Sequence, residues 1–202
     1  MKLYYSKGAC SLAVRIVINE LGLKCEFESV NLKTKQTESG GDFLSISPKG
    51  AVPVLAIDKH EVLTENSIIQ QYLADTHKAA HLLPPVGDFK RYRVLEWLNF
   101  ISTDIHKGFG PLFDPSIPQE LKDSIFIPNI KKKLKFIEQH LAKNNQFLAG
   151  DHFTLPDAYL YVMLVWSRHF KIDIAELPHL TKYFSSLNQR PAIMQSLKEE
   201  GF

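Results

Sequence analysis

The chain has two cysteines, and they stand in different sequence environments. Cys10 lies where an apolar strand pattern gives way to an amphipathic helix pattern, in the stretch YYSKGACSLAVRIVINELG. The first turn of a helix offers unpaired backbone N–H groups and the positive end of the helix dipole, so we expect a lowered pKa for the Cys10 thiol. A packed, unreactive cysteine fits the same position equally well. Cys25 lies inside a strand pattern and is interpreted as a packed residue.

Pro53 interrupts a second strand pattern, although proline cannot donate a hydrogen bond to a sheet. A cis Val52–Pro53 bond would bend the chain and leave the neighbouring backbone free to face a ligand. An edge-strand proline with no ligand is the alternative. A small sheet with a helix-terminal cysteine opposite such a Val-Pro pair is a construction that binds peptide-like thiols in extended form.

Glu65 and Asn66 stand at the turn into the next helix. The helix start offers N–H groups to a carboxylate, and Glu65 offers a carboxylate to an ammonium, so the pair could hold both charged ends of an amino-acid group. Simple helix capping explains the same two residues.

A third polar set, Asn99, Thr103 and His106, is spaced i, i+4 and i+7 along a helix pattern. This spacing places the three side chains on one face, where they could line an interdomain cleft. His106 could donate a hydrogen bond to a thiolate or transfer a proton. Thr154 and Asp157 have the spacing of a capping box, and we assign them to stability, not to chemistry.

The elements that must position these residues divide the chain in two. Residues 1–80 read as β-α-β followed by β-β-α, an α/β domain, and residues 81–88 as a Pro- and Gly-containing linker. Residues 89–202 form an all-helical domain. Its helices are predicted at about 89–107, 119–144 with a bend at Pro128, 156–170, 177–189 and 192–199.

Composition excludes several function classes. The sequence has 202 residues, is 45% hydrophobic and carries a formal net charge of +2, which argues against a nucleic-acid partner. No run of about eighteen apolar residues indicates a membrane span, and no signal peptide is visible. The two cysteines form neither a disulfide scaffold nor a metal-binding spacing. We therefore expect a cytoplasmic protein without metal, with Cys10 as a free thiol.

Five segments in this order resemble the cytosolic glutathione transferases, and in detail the bacterial beta class: MKLYYSKGACSLA, SPKGAVPVL, LTENSIIQQYLAD, EWLNFISTDIHKGF and FTLPDAYLYVMLVW. The resemblance covers essentially the whole chain. It implies a thioredoxin-like N-terminal domain, an all-α C-terminal domain and a homodimer.

The resemblance also implies a glutathione site made of Tyr5, Ala9, Cys10, Lys35, Val52, Pro53, Glu65, Asn66, Asn99, Thr103, Asp104, Ile105 and His106. In that site Cys10 lies beside the glutathione sulfur and His106 reaches over it, which makes these two the expected catalytic residues. Lys35 contacts the glycine end, Val52 pairs with the cysteinyl unit, and Glu65 binds the γ-glutamyl group. Asn66 departs from the family, which commonly has a small residue such as Ser there.

The function implied is conjugation of glutathione, as co-substrate, to a small apolar electrophile held near residues 109–113 and 166–170. A glutathione-dependent thiol–disulfide oxidoreductase or peroxidase that uses a Cys10 mixed disulfide is the first alternative. A non-catalytic binding module is the second.

Overall fold

The computed structural model describes residues 1–58, 60–143 and 145–202. These residues form two compact units, and each is described by itself. The first contains Met1–Ala80 together with Arg190–Phe202, and the second contains His81–Gln189. No helix in the described ranges has both the length and the hydropathy needed to cross a membrane.

The first unit begins with a β-α-β motif followed by a β-β-α motif, as the sequence predicts. Its elements are β1 (Lys2–Tyr5), α1 (Ser11–Glu20), β2 (Glu26–Asn31), β3 (Gln36–Thr37), α2 (Phe43–Ile46), β4 (Val54–Ala56), β5 (Val62–Thr64) and α3 (Asn66–Thr76). The sheet order is β3-β2-β1-β4-β5. Strands β1 and β2 are parallel, and the other pairs are antiparallel. The short elements β3 and α2 fall in or beside the predicted loop and were not expected.

Helix α1 is the centre of this unit, because every residue from Ser11 to Ile18 is buried. Gly22, with φ +61°, ends the helix in the left-handed conformation that glycine adopts without strain. The N–H of Leu23 donates to the carbonyl of Ile18 across this turn. The strand and helix patterns of the sequence thus locate the platform that carries Cys10.

The second unit is helical in its described residues. Its elements are α4 (Phe89–Phe100), α5 (Lys107–Phe113), α6 (Gln119–Leu121), α7 (Ile127–Leu141), α8 (Leu155–His169) and α9 (Pro178–Leu187). A π-helical turn, Ile101–His106, joins α4 to α5, and a second one, Lys122–Phe126, joins α6 to α7 just before Pro128. The predicted helix end at residue 144 lies outside the described residues. In the expected linker, Leu82 and Leu83 are buried.

Helix α8 begins with the predicted capping box, which is confirmed. The Thr154 N–H and Oγ1 both donate to Asp157 Oδ2, each at 2.8 Å. The other carboxylate oxygen accepts from the Leu148 N–H at 3.0 Å and from the Tyr183 hydroxyl at 2.6 Å. Asp157 is fully buried, so it joins three segments of the unit in addition to capping one helix.

The last helix, α10 (Pro191–Glu199), packs on α1 and belongs to the first unit. This differs from the expected helical domain of residues 89–202. The physical reason is that α10 buries Ala192, Ile193 and Ser196, and that its end supplies carboxylates to Arg15 of α1. Amphipathic periodicity predicts such a helix but does not say which surface it covers.

Candidate functional site

The predicted site residues fall in both units, and Cys10 is central to the first. It is the N-cap residue of α1 and is 8% exposed. Its thiol donates a hydrogen bond to the Val52 carbonyl, with Sγ and O 3.3 Å apart. The structure therefore joins two residues, 42 positions apart in the sequence, that the predicted thiol site requires together.

The predicted low pKa of Cys10 is wrong in this state of the protein. Burial raises the pKa of the Cys10 thiol to about 11 and outweighs the hydrogen bonds from Asn66 and the helix start that lower it. Cys25 is half-buried, so Cys10 is the more deeply packed of the two, contrary to expectation. Both are free thiols, as predicted for Cys10. Cys10 is thus a neutral hydrogen-bond donor at neutral pH.

The Val52–Pro53 bond is cis, as predicted, and Pro53 stands just before β4. Val52 packs in a small apolar cluster with Val30, Phe43 and Val54, against which Tyr4 and Ala9 lie. Tyr5 has other contacts: its ring lies against Phe27 and beneath the Arg15 guanidinium. Because neighbouring residues of a strand point to opposite faces, Tyr4 faces the Val52 cluster and Tyr5 faces away.

Two further predicted ligands, Lys35 and Glu65, have left-handed backbone conformations, with φ of 59° and 70°. Such conformations cost energy in non-glycine residues and concentrate at functional sites. Lys35 Nζ donates to the Gly50 carbonyl at 2.7 Å. Glu65 forms an ion pair with Lys49, whose Nζ lies 2.6 Å from Oε1, and both side chains are more than half exposed. The Glu65 carboxylate therefore binds one ammonium group, that of Lys49, and is accessible to another.

The side chain of Asn66, where the family commonly has a small residue, forms two hydrogen bonds within the first unit. It is buried, its amide nitrogen donates to the Cys10 carbonyl at 2.6 Å, and its amide oxygen accepts from Gln70 at 2.6 Å. The side chain is thus committed to the start of α1. Only the backbone N–H of Asn66 can serve the carboxylate of a γ-glutamyl group.

In the second unit, the predicted polar stripe begins at Asn99 near the end of α4 and continues through the π-helical turn, a distortion often found at functional sites. Asn99 and Thr103 are exposed, and the Thr103 hydroxyl donates to the Asn99 carbonyl at 3.0 Å. Asp104 is half-buried and forms an ion pair with Lys133 at 3.4 Å. Ile105 is fully buried, so its side chain offers no surface to a ligand.

His106 is half-buried and has a fixed ring orientation. Its Nδ1 lies 2.6 Å from the Tyr159 hydroxyl, and its ring packs edge-on against Trp166 with centroids 5.1 Å apart. If the tyrosine donates this hydrogen bond, Nε2 carries the ring proton and is the donor toward a ligand. With the hydrogen bond in this direction, Tyr159 favours the tautomer of His106 whose Nε2 can donate to a thiolate.

The residues expected to hold an electrophile form an aromatic cluster within the second unit. Phe113 lies 4.8 Å from Trp166 and 4.7 Å from Phe170, measured between ring centroids. Phe109 contacts both Trp166 and Phe170, and Phe113 is 50% exposed. An exposed aromatic surface of this kind suits an apolar, partly aromatic ligand.

Two known domain families match most of the chain. Residues 1–75 match the family described as glutathione S-transferase, N-terminal domain, and residues 100–191 match its C-terminal domain. The chain is 40% identical to glutathione S-transferase GstA of Escherichia coli O157:H7 over 201 residues, which cover 100% of this chain and 99% of the relative. The chain belongs to the glutathione S-transferase family.

Two solved structures of the family are similar along the entire chain. A sphingomonad glutathione S-transferase complexed with glutathione is 42% identical, with a TM-score of 0.94 and 100% coverage of both chains. A bacterial beta-class glutathione S-transferase from Sphingomonas chungbukensis is 40% identical, with a TM-score of 0.94 and coverage of 100% of this chain and 99% of that one. The thioredoxin-like and helical domains expected of the family are thereby confirmed.

Three residues that contact the predicted site residues were not predicted from the sequence. Lys49 forms an ion pair with Glu65, Tyr4 packs beside Val52, and Tyr159 forms a hydrogen bond with His106. Lys49 lies in the SPKG motif, so the sequence offered it as a candidate ligand-site residue. Tyr159 is 53 positions from His106, and nothing in the spacing links them. Among the residues that the structure describes, no three His, Cys, Asp or Glu side chains form a group able to hold a metal ion.

Proposed function

We propose that this family member conjugates the thiolate of reduced glutathione to small hydrophobic electrophiles in the cytoplasm. One observation carries the proposal: Cys10 is a neutral thiol whose Sγ lies 3.3 Å from the Val52 carbonyl. An extended tripeptide that pairs with the Val52 backbone brings its own sulfur to this thiol. Cys10 then donates its S–H to the glutathione thiolate and lowers the pKa of that thiol.

The reaction is a nucleophilic attack by sulfur. Glutathione releases its thiol proton to solvent, and the thiolate uses an electron pair to form a carbon–sulfur bond. In a substitution, the halide leaves with the bonding pair; in an addition, the neighbouring carbon takes up a proton. A fall in the glutathione pKa from about 8.5 to about 6.5 would raise the thiolate fraction at pH 7 roughly 25-fold.

The helical unit contributes a second donor and the electrophile surface. Within this unit, Tyr159 orients His106 so that Nε2 is available as a donor, and the aromatic cluster of Phe109, Phe113 and Trp166 offers a surface to the electrophile. The disulfide route is less favoured, because a mixed disulfide requires attack by a thiolate and burial keeps Cys10 protonated. Retention of Cys10, Glu65 and His106 argues against a non-catalytic module.

Retention on glutathione resin, followed by assays with an aryl halide and with a mixed-disulfide substrate, tests this function. We expect retention and turnover of the aryl halide. Absence of both would eliminate the enzymatic interpretations. Turnover of the disulfide alone would replace conjugation with the oxidoreductase.

A homodimer is part of the proposal and is supported by an aromatic groove on the second unit. The groove has a volume of about 760 Å³, and its lining is aromatic and charged: Trp97, Phe100, Phe136, His140, Arg93, Glu96, Asn129, Lys132 and Lys133. Phe136 is 52% exposed. The occupant we propose is the β5–α3 region of a second copy, in which Val62, Ile68 and the acidic Glu61 are all exposed.

Light scattering on the eluted protein tests the dimer. Phe136→Glu is expected to produce the monomer mass, because a buried unpaired charge weakens an apolar interface. Met194→Glu, a substitution of an equally exposed residue on α10, is the control and should leave the mass unchanged. A Phe136→Glu variant that keeps the dimer mass would remove the groove from the interface.

A further inference from the structure

The segment Glu199–Phe202 lies against the loop that carries Cys10, far from it in the sequence. We propose that Glu200 is a positioning residue for Cys10, because its buried carboxylate links the loop before Cys10 to Arg15 of α1. Only the predicted effect on conjugation kinetics rests on the proposed function. The contacts themselves lie within the first unit.

The first half of the link is a buried ion pair. Arg15 is 2% exposed and its guanidinium lies between two aromatic rings, 4.3 Å from the centroid of Tyr5 and 3.8 Å from that of Phe27. Nε donates to Glu200 at 3.1 Å, and Nη1 donates to Glu199 at 3.2 Å. The Glu200 side chain is fully buried, whereas that of Glu199 is 31% exposed. Glu200 is therefore fixed from the helix side.

The second half of the link is a hydrogen bond to the loop. The other Glu200 oxygen accepts from the Gly8 N–H at 2.9 Å, two residues before Cys10. Gly8 has φ +69°, and a Cβ added there would stand 3.1 Å from the Phe202 ring. Glycine adopts this left-handed turn without strain, and a side chain there would crowd the Phe202 ring.

Lys7 adds a third contact on the same loop. Its Nζ donates to the Gly201 carbonyl at 2.8 Å and lies 5.0 Å from the centroid of the Phe202 ring. Residues 7 and 8 are thus both held by residues 200–202. Because Ala9 and Cys10 follow directly, the segment limits the positions that the Cys10 thiol can take relative to Val52.

Glu200 and Glu199 differ in their contacts. Both carboxylates bind Arg15, but only Glu200 also binds the loop. A purely structural role would lower the stability, and more so for the buried Glu200 than for Glu199, without changing the reactivity of Cys10 in the folded protein. A positioning role predicts that Glu200 alone changes the reactivity of Cys10 and the use of glutathione.

The test compares Glu200→Gln with Glu199→Gln, each in a Cys25→Ser background so that Cys10 is the thiol measured. Iodoacetamide labelling of Cys10 is followed by mass spectrometry at a temperature at which both variants are folded. We expect labelling at least five times faster in Glu200→Gln than in Glu199→Gln, because the freed loop exposes the thiol. A smaller ratio would overturn the proposal.

Steady-state conjugation gives the second readout. We expect kcat/KM for glutathione to fall at least fivefold in Glu200→Gln and less than twofold in Glu199→Gln. Equal falls would overturn the positioning role. If the unsubstituted chain shows no conjugation, the proposed function fails, while the labelling contrast still decides the role of Glu200.

Amide hydrogen exchange on the unsubstituted chain keeps the proposal testable even if Glu200→Gln does not fold. The Gly8 N–H is expected to exchange at least a hundredfold more slowly than in an unstructured peptide, because it donates to a buried carboxylate. Exchange at the unstructured rate would show that the link is not formed in solution and would overturn the proposal.

Discussion

Cys10 in the first unit and Asp157 in the second are both buried polar residues beside a helix start, yet their surroundings differ. The Asp157 carboxylate accepts four hydrogen bonds from Leu148, Thr154 and Tyr183, which all belong to the same unit. The Cys10 thiol donates a hydrogen bond to the Val52 carbonyl at 3.3 Å. A sulfur hydrogen bond is weak, so a ligand can replace it at small cost.

The contrast separates stability from chemistry. A buried carboxylate with a full set of donors stabilises the fold and has no capacity left for a ligand. Cys10 is buried, and Lys35 and Glu65 have left-handed backbone conformations. The side chain of each of the three has a partner that a ligand could displace. A substitution of Asp157 should therefore lower the free energy of unfolding, whereas substitutions of Cys10, Lys35 or Glu65 should change the binding or turnover of glutathione.

Asp157→Ala tests the stability side and should have the largest effect. Four donors, the Leu148 N–H, the N–H and hydroxyl of Thr154 and the Tyr183 hydroxyl, would lose a buried acceptor, so we expect unfolding to cost about 3 to 4 kcal/mol less. Thermal unfolding should shift down by roughly 10 °C. Asp151→Ala, at an exposed position, is the control. An unchanged melting temperature for Asp157→Ala would refute the assignment.

The pH dependence of Cys10 labelling tests the reactivity assigned to the first unit. The raised pKa means that the thiol stays protonated until about pH 11, so the thiolate fraction at neutral pH should be roughly a hundredfold below that of a thiol with a pKa of 9.0. In a Cys25→Ser variant without glutathione, the rate of iodoacetamide labelling should still rise between pH 9 and 11. A plateau below pH 8 would contradict the raised pKa.

Glu65→Gln removes the proposed partner of the γ-glutamyl ammonium. We expect glutathione to bind about 30-fold more weakly, a loss of about 2 kcal/mol, because a charge-assisted hydrogen bond is replaced by a neutral one. Calorimetric titration measures the affinity, and thermal unfolding should stay within about 1 °C because the side chain is exposed. Glu120→Gln is the matched control; an equal loss there would point to a general charge effect.

His106→Asn has the smallest expected effect of the four. It should lower kcat/KM about tenfold, because one donor to the thiolate is lost, and Tyr159→Phe should lower it about threefold through the ring orientation alone. Steady-state kinetics with an aryl halide measures both. His152→Asn, at an exposed position, should retain full activity. A Tyr159→Phe variant with the larger defect would reverse the assigned roles.

Local patterns predicted the elements that are long and periodic. The β-α-β start, the helix start at Ser11 and the capping box at Thr154 follow from residue spacing within one segment. Strand β3 is two residues long, and its pairing with β2 has no periodic signal in so short a stretch. Sequence spacing also placed His106 on a regular helix and did not predict the π-helical turn.

Properties set by distant contacts were not predictable in this way. The Cys10 pKa depends on burial against Val52, which outweighs the local effect of the helix start. The position of α10 depends on a charge inside the apolar run LAVRIV: Arg15 needs buried acceptors, and Glu199 and Glu200 supply them. A charged residue at a core position of a helix was the available signal.

The Lys49–Glu65 pair has a consequence for how glutathione affinity responds to salt. Lys49 occupies the carboxylate before the ligand arrives, so binding of the γ-glutamyl ammonium exchanges one exposed ion pair for another. Dissolved ions weaken the displaced pair and the new pair by similar amounts. The contribution of Glu65 to affinity should therefore vary little between dilute and concentrated salt, although the contact is electrostatic.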